Sequence, residues 1–244
     1  MNKQMVLDDK VHGAIDSYVL SRTCYLNNGT GNLFKYNNKT YIVTCKHIAD
    51  GILSEKNFEV LLRKNLRIKK EKLDYKYCSS LEIDIGVIEI LDENIEVNYY
   101  TIDNFGFIED FREADFSKSN FFLLGYPYDL SFQTDRGKDI LHISYMTLLK
   151  KNKPVTKDFL FVDYNRTVET NRIIESELNY KLPHPSGMSG SLLFQVKVFE
   201  GSKEKIWSPD QIKIVGIQQS WDKLGNWIKC SNIKYLKELL LITV

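Results

Sequence analysis

The chain has 244 residues, of which 43% are apolar and 27% are charged, proportions of an ordinary globular protein that exclude extensive disorder. Its 33 Lys and Arg nearly cancel its 32 Asp and Glu, and the formal charge of +1 gives no field that would gather nucleic acid or an anionic membrane. No apolar run approaches the roughly 20 residues that span a bilayer, and residues 1–10 lack the apolar core of a signal peptide, so we expect a cytoplasmic location.

Short runs rich in β-branched and aromatic residues recur along the chain, separated by Gly, Asn, Asp and Pro, while long helical periodicity is scarce. This pattern predicts an all-β protein built as sandwiches or barrels. Asn37 and Asn38 stand between the first two runs and predict a hairpin turn, because asparagine tolerates left-handed backbone. The predicted strands are residues 31–36, 40–44, 58–63, 85–90, 120–124, 140–149, 159–162, 191–199 and 213–218.

Two helices are expected in addition to the strands. One is a short turn after His47, and the other covers residues 232–241. A Ser231 or Asn232 cap opens the second helix. Its apolar positions, spaced as on one face of a helix, are Ile233, Leu236 and Leu240.

The four cysteines contain no C-x-x-C pair, and their number is low for a disulfide scaffold. We therefore expect Cys24, Cys45, Cys78 and Cys230 to be free thiols in a reducing compartment. Cys45 follows an apolar run and is expected to be a small buried side chain.

Three residues are candidates for nucleophilic catalysis. Ser189 lies between Gly187 and Gly190 on a predicted tight turn, where glycines let backbone amides converge on a developing oxyanion. His47 follows a predicted strand, and a histidine is suited to general-base work near neutral pH. Asp84 stands among apolar residues, where a carboxylate needs a hydrogen-bonding partner such as an imidazole. Taken singly, each residue also fits an ordinary structural role.

The order of these residues along the chain separates the classes of hydrolase. Histidine, aspartate, serine is the order of chymotrypsin-type enzymes, whereas α/β-hydrolases and subtilisins have other orders. Because all four histidines precede Ser189, an α/β-hydrolase triad built on that serine is excluded. The β-rich pattern argues against a subtilisin, and a papain-like pairing of Cys24 or Cys45 with His142 has no supporting local motif.

Four stretches resemble the trypsin-like (chymotrypsin-fold) peptidase family, in particular its bacterial intracellular and Deg-like members. A fifth stretch, residues 214–217, falls where the family has the strand leading to its substrate-binding edge, and the resemblance covers about residues 28–240. The four are residues 44–47 (the family's Thr/Ser-Ala-x-His), 84–88 (its Asp-Ile-Ala-Leu-Leu), 122–127 (the strand and glycine turn that open its second barrel) and 185–191 (its serine loop).

The resemblance implies two antiparallel β-barrels followed by a C-terminal α-helix, with the active site in the cleft between the barrels. It divides the chain into an N-terminal extension (residues 1–27), a first barrel with the histidine and aspartate (residues 28–110) and a second barrel with the serine (residues 111–244). Residues 104–118, which have few strand-forming side chains, are expected to connect the two barrels.

The resemblance also implies a role for each residue of the site. Ser189 attacks the scissile carbonyl, His47 transfers the proton to the leaving amine, and Asp84 orients the histidine and stabilises its charged form. The backbone amides of Gly187 and Ser189 form the oxyanion hole. No metal and no cofactor is required.

Substrate binding is expected from His184, Gln218, Gln219 and Ser220. No aspartate stands at the expected base of the pocket, so a trypsin-like demand for Arg or Lys is not expected. Two departures from the family stand in the serine loop. Met188 replaces the acidic residue that pairs with a newly cut N-terminus in digestive members, which argues against activation by N-terminal cleavage, and Ser191 replaces a glycine. 

The sequence therefore predicts a serine endopeptidase acting on a protein substrate. Because a free cytoplasmic protease is hazardous, we expect narrow specificity in a bacterial stress or defence pathway, or a partner protein that activates the enzyme. One alternative is a catalytically silent protein-binding module with the same fold. A nucleic-acid-binding barrel rests only on the basic stretch at residues 63–76, which a solvated hairpin loop explains better.

Overall fold

The computed structural model describes residues 9–55, 58–62, 67–77, 82–92, 95–106, 108–116, 119–134, 137–164, 182–197 and 207–242, and the statements below concern these residues. This part of the chain contains three α-helices, none long and apolar enough to cross a bilayer. The helices are α1 (Asp9–Leu20), α2 (Lys46–Ser54) and α3 (Lys234–Ile242).

The first half of the chain forms one antiparallel sheet of seven strands. The strands are β1 (Thr23–Tyr25), β2 (Thr30–Tyr36), β3 (Lys39–Thr44), β4 (Glu59–Leu61), β5 (Arg67–Lys69), β6 (Leu73–Tyr77) and β7 (Gly86–Ile90). Their order in the sheet is β5-β4-β1-β2-β3-β7-β6. Residues 63–66 of the predicted basic loop lie outside the described residues. The rest of that stretch is not a loop but forms β5, the 3₁₀ turn Lys70–Lys72 and most of β6.

The second half forms an antiparallel sheet of six strands, in the order β11-β8-β13-β14-β15-β12, and a separate two-stranded ribbon of β9 and β10. Each of the nine predicted strands overlaps an observed one, so the predicted all-β class is confirmed. The strands are β8 (Asn120–Gly125), β9 (Ser131–Thr134), β10 (Gly137–Ile140), β11 (Ile143–Thr147), β12 (Phe159–Asp163), β13 (Leu192–Val196), β14 (Ile212–Asp222) and β15 (Trp227–Asn232).

The turn between β2 and β3 has the predicted conformation. Tyr36 pairs with Lys39, so the loop has two residues. Asn37 and Asn38 have φ angles of 47° and 61°, and positive φ at both central residues matches the twist of the flanking strands. The hairpin prediction is confirmed, and it fixes the register that carries the chain toward His47.

Strand β8 shows how two apolar cores form from one strand. Successive side chains of a strand point to opposite faces. Phe122 and Leu124 pack in a core shared with the first sheet and α1, whereas Phe121 and Leu123 pack in a core that belongs to the second half. All four side chains are buried. The second sheet is therefore covered on both faces, and it is joined to the first sheet through a common core.

Helix α1 was not predicted. It lies within the expected extension, and Val11, Ile15 and Val19, four residues apart on one face, are 8%, 0% and 1% exposed. The next segment, β1, pairs with β2 in the first sheet. Residues 9–25 are thus part of the folded core rather than a separate tail.

Strand β15 was also missed, and the helix predicted over residues 232–241 begins later, as α3. The predicted cap is present, because Asn232 Oδ1 accepts a hydrogen bond from the Lys234 backbone N–H at 3.0 Å. The predicted apolar face is buried too, with Ile233, Leu236 and Leu240 at most 1% exposed.

Three of the four cysteines lie in the described part of the chain. Cys24, Cys45 and Cys230 are free and buried, which confirms the prediction for these three. Cys78 lies outside the described residues.

Candidate active site

A cleft of about 900 Å³ contains all three candidate catalytic residues. The first half of the chain lines it with α2 and the segment before β7. The second half lines it with β12, β14, β15 and the serine loop, residues 185–191. The lining residues are Lys46, His47, Asp50, Glu82, Asp84, Phe159, Ser189, Gln219, Ser220 and Lys229.

His47 is placed by the junction of β3 and α2. Strand β3 ends at Thr44, and His47 is the second residue of the helix. The backbone N–H groups of a first helical turn have no acceptor within the helix, and the residue before this helix, Cys45, forms no side-chain cap. The His47 N–H therefore needs an acceptor from elsewhere in the fold, and its half-exposed ring faces the cleft.

Asp84 supplies that acceptor. Thr44 pairs with Gly86 across β3 and β7, which places Asp84, two residues before β7, beside the start of α2. Asp84 Oδ1 accepts from the His47 backbone N–H at 3.0 Å, and Asp84 Oδ2 accepts from His47 Nδ1 at 2.5 Å. One carboxylate thus fixes both the backbone and the ring of the histidine.

The environment of Asp84 favours its charged form. Partial burial raises the pKa of the carboxyl, but the hydrogen bonds from the His47 ring and backbone outweigh burial, and the net pKa is below its ordinary value. The carboxylate therefore only accepts at neutral pH, which places a proton on His47 Nδ1 and leaves Nε2 available as a base.

Cys45, His47 and Asp84 also offer ligand atoms within 4.8 Å of one another. A tetrahedral zinc ion would hold such atoms about 3.3 Å apart, whereas His47 Nδ1 and Asp84 Oδ2 are separated by only 2.5 Å. Burial, followed by the charge of Asp84, raises the pKa of the Cys45 thiol well above its ordinary value, and the thiol donates to Gln218 O at 2.9 Å. This arrangement fits a hydrogen-bonded pair beside a neutral thiol and does not fit a metal centre.

The serine loop bends at two glycines. Gly187 and Gly190 have φ angles of 91° and 93°, which residues with a Cβ rarely adopt. Ser189, between them, is half-buried and lines the cleft. Its hydroxyl donates to Gln219 O at 3.4 Å rather than to His47. The histidine, aspartate and serine thus share one cleft, and the serine hydroxyl has a backbone partner.

Two amides of the serine loop have no acceptor within the described part of the chain. Met188 N donates to Pro185 O, Gly190 N to Gln218 O and Ser191 N to Met188 O, at 2.9–3.0 Å. Among the described residues no oxygen accepts from Gly187 N or Ser189 N. These are the two amides expected to form an oxyanion hole, and they stand on either side of a single residue.

The four expected substrate contacts separate into two groups. Gln219 and Ser220 line the cleft. Gln218 does not line the cleft, because the residue is only 1% exposed and its backbone carbonyl accepts hydrogen bonds from Gly190 N and the Cys45 thiol. His184 packs edge-on against the Trp221 ring, with centroids 4.6 Å apart. Gln219 and Ser220 therefore remain candidate substrate contacts. The side chain of Gln218 does not, because it is buried away from the cleft.

The sequence did not single out the part of the cleft formed by β12 and β15. Lys229 Nζ lies 3.6 Å from the centroid of the Phe159 ring, and both side chains line the cleft. Lys46 pairs with Asp50 at 2.5 Å, whereas Lys229 has no carboxylate partner in the described part of the chain. The alternation of β15 was the available signal, since Ile228 and Cys230 are buried on the opposite face.

No protein-family model and no curated protein sequence matches the chain. Several solved structures match it along nearly its whole length. A Glu endopeptidase has a TM-score of 0.53 at 13% identity and covers 91% of each chain. Deg5 has a TM-score of 0.51 at 13% identity, over 97% of this chain and 95% of the other. Neuropsin, a serine protease from mouse brain, has a TM-score of 0.54 at 12% identity, over 93% of this chain and 96% of the other.

At sequence identities this low, structural similarity shows a shared fold but not a shared activity, so the chemistry has to be inferred from the residues of the site. The two antiparallel β-barrel or half-barrel sheets and the C-terminal helix α3 are the chymotrypsin-like fold, shared with trypsin-like proteases.

Proposed function

We propose that the protein is a serine endopeptidase that hydrolyses peptide bonds of a protein substrate with His47, Asp84 and Ser189. The observation that carries the proposal is the geometry of the cleft. An Asp84–His47 hydrogen bond of 2.5 Å fixes the ring in a cleft that also contains Ser189. Beside that serine, the amides of Gly187 and Ser189 have no acceptor among the described residues.

Catalysis begins when the Ser189 hydroxyl turns from Gln219 O toward His47 Nε2. The imidazole takes the hydroxyl proton as Oγ attacks the substrate carbonyl, and the developing oxyanion accepts hydrogen bonds from Gly187 N and Ser189 N. The imidazolium then protonates the leaving amine, and an acyl-enzyme remains. A water molecule, deprotonated by the same imidazole, hydrolyses the acyl-enzyme and restores the serine hydroxyl.

One observation favours a second function. Because Ser189 donates to Gln219 O and not to His47, the same cleft could bind a peptide without cleaving it. Hydrogen bonds between catalytic groups are often long or misaligned until substrate binds. The missing Ser189–His47 bond therefore does not argue strongly against a protease, and the labelling experiment below distinguishes the two functions.

Labelling with a fluorophosphonate, read as a mass increase of the intact protein, tests the proposal. We expect the wild type to be labelled and Ser189→Ala and His47→Ala to remain unlabelled. Ser186→Ala is the matched control, since Ser186 is an exposed serine of the same loop, and we expect it to be labelled. An unlabelled but folded wild type would support the binding module, and labelled Ser189→Ala would identify a different nucleophile.

Lys229 lines the cleft and has no carboxylate partner in the described part of the chain, and this predicts a substrate preference. We expect Lys229 to favour substrates with an acidic side chain near the cleaved bond. Lys229→Ala should lower kcat/KM for such peptides about three- to fivefold, because an accessible ion pair contributes up to about 1 kcal/mol. Peptides with a neutral residue at that position should change little.

Lys153→Ala is the matched control for Lys229→Ala. Lys153 also stacks on an aromatic ring, with Nζ 4.4 Å from the Trp227 centroid, but it does not line the cleft. Steady-state kinetics on paired acidic and neutral peptides measure the effect. Equal losses on both peptides, or an equal effect of Lys153→Ala, would show that Lys229 does not read the substrate.

A further inference from the structure

Thr30, the first residue of β2, connects the first sheet to the serine loop. It is completely buried. Its backbone N–H donates to Ser189 O at 2.9 Å, and its hydroxyl donates to Gly187 O at 3.0 Å and accepts from Tyr126 N at 3.1 Å. One threonine therefore contacts the residues on both sides of Met188 and the end of β8.

The peptide units of the loop explain why these contacts matter. Gly187 N and Ser189 N, the two amides for which the described residues offer no acceptor, belong to peptide units whose carbonyls are already bonded. Ser186 O accepts from Tyr128 N at 2.7 Å, and Met188 O accepts from Ser191 N at 2.9 Å. The peptide unit between them has its carbonyl, Gly187 O, bonded to the Thr30 hydroxyl.

The backbone of Gly187 does not select this conformation by itself. A glycine populates positive and negative φ almost equally, so the peptide units that flank it can rotate at little local cost. A rotation of the peptide unit between Gly187 and Met188 would break the hydrogen bond to Gly187 O and shift the two neighbouring units, which carry the amides of Gly187 and Ser189. The hydroxyl of Thr30 opposes such a rotation, because leaving a buried carbonyl without a donor is unfavourable.

We propose that Thr30 is a positioning residue, whose hydroxyl holds the serine loop with the amides of Gly187 and Ser189 directed into the cleft. The inference rests on the proposed protease function where it concerns catalysis, but the conformational part does not.

Three variants test the proposal. Thr30→Val keeps the branched shape and removes the hydroxyl, whereas Thr30→Ser keeps the hydroxyl. Thr147→Val is the matched control, because Thr147 is also buried and its hydroxyl donates to a backbone carbonyl, Asp163 O, at 2.6 Å. Among the described residues the Thr147 hydroxyl bonds to Leu148 O and Asp163 O, neither of which belongs to the serine loop.

We expect Thr30→Val to lower kcat about 10- to 100-fold, less than the loss of a whole oxyanion donor, with KM changed less than threefold. Thr30→Ser and Thr147→Val should stay within threefold of the wild type in kcat. A second readout needs no turnover. In hydrogen exchange followed by mass spectrometry, the amides of the serine loop should exchange at least tenfold faster in Thr30→Val than in the wild type. Their exchange rate should not change in Thr147→Val.

The two readouts separate the possible failures. If the wild type neither labels nor cleaves, the protease proposal fails, and hydrogen exchange alone judges the role of Thr30. If Thr30→Val keeps both its kcat and the exchange rate of the serine loop, the positioning role is wrong. If kcat falls equally in Thr30→Val and Thr147→Val, Thr30 contributes only to general stability and does not position the loop.

Discussion

Replacing Asp84 with asparagine should lower kcat for peptide hydrolysis about 10⁴-fold without unfolding the protein. The asparagine carbonyl can keep the hydrogen bond from the His47 backbone N–H, which Asp84 Oδ1 accepts at 3.0 Å. Its NH₂ group then faces His47 Nδ1, where Asp84 Oδ2 now accepts at 2.5 Å. Because an amide donates there, Nδ1 must accept, Nε2 carries the proton, and the ring no longer takes the proton of Ser189.

The rate of fluorophosphonate labelling measures this effect before any substrate is known. Asp16→Asn is a matched control, because Asp16 Oδ2 lies 3.4 Å from His142 Nε2 in a second aspartate–histidine pair that does not line the cleft. We expect this control to label at the wild-type rate. A fall of less than tenfold in Asp84→Asn, with the fold intact, would mean that the Asp84–His47 pair only stabilises the start of α2.

The sequence predicted that His47, Asp84 and Ser189 would share one cleft because each had a local signature, and the structure places all three there. His47 and Asp84 flank strands with clear β patterns, and the pairing of Thr44 with Gly86 brings the two together. The glycines around Ser189 predicted a tight turn, and both have positive φ. A hydrogen-bonded aspartate–histidine pair needs these two side chains at neighbouring strand ends, and this requirement made Asp84 and His47 recognisable in the sequence.

Elements that are buried against distant parts of the chain could not be predicted from the sequence. Helix α1 has an apolar face of Val11, Ile15 and Val19 with Tyr18 beside it, but the helix is only 12 residues long and Gly13 lowers its helix propensity. Strand β15 contains Lys229, whose place in the cleft becomes visible only when β12 lies beside it. The alternation of β15 covers only six residues, and a periodic signal over so short a segment is hard to separate from that of a loop.

The contacts of Thr30 illustrate the same limit most clearly. Its hydroxyl reaches Gly187 across 157 positions of sequence, and Asn32, also on β2, donates to Gly190 O at 2.7 Å. A buried polar side chain in a strand signals that some partner exists. Nothing local identifies that partner, so the support of the serine loop emerged only from the tertiary structure.

Gly190→Ala should destabilise the protein by about 3–5 kcal/mol, a large part of the stability of a typical domain. A Cβ on Gly190 would lie 2.1 Å from Thr30 O and 2.4 Å from Thr44 Oγ1, so β2 or the serine loop must move. The φ angle of 93° adds backbone strain of about 1–3 kcal/mol to the cost of overpacking, which is similar in size. Neither term can relax without disturbing Ser189.

Urea unfolding of Gly190→Ala and a matched control, Gly13→Ala, measures the difference. Gly13 lies in α1, and a Cβ there would meet no atom within 4 Å, so alanine should stabilise the protein by up to about 1 kcal/mol through helix propensity. The same substitution is thus expected to act with opposite signs at the two sites. A loss below about 1 kcal/mol at Gly190 would mean that the serine loop moves away from β2 easily, and the close packing of the loop against Thr30 would then be too weak to position the amides.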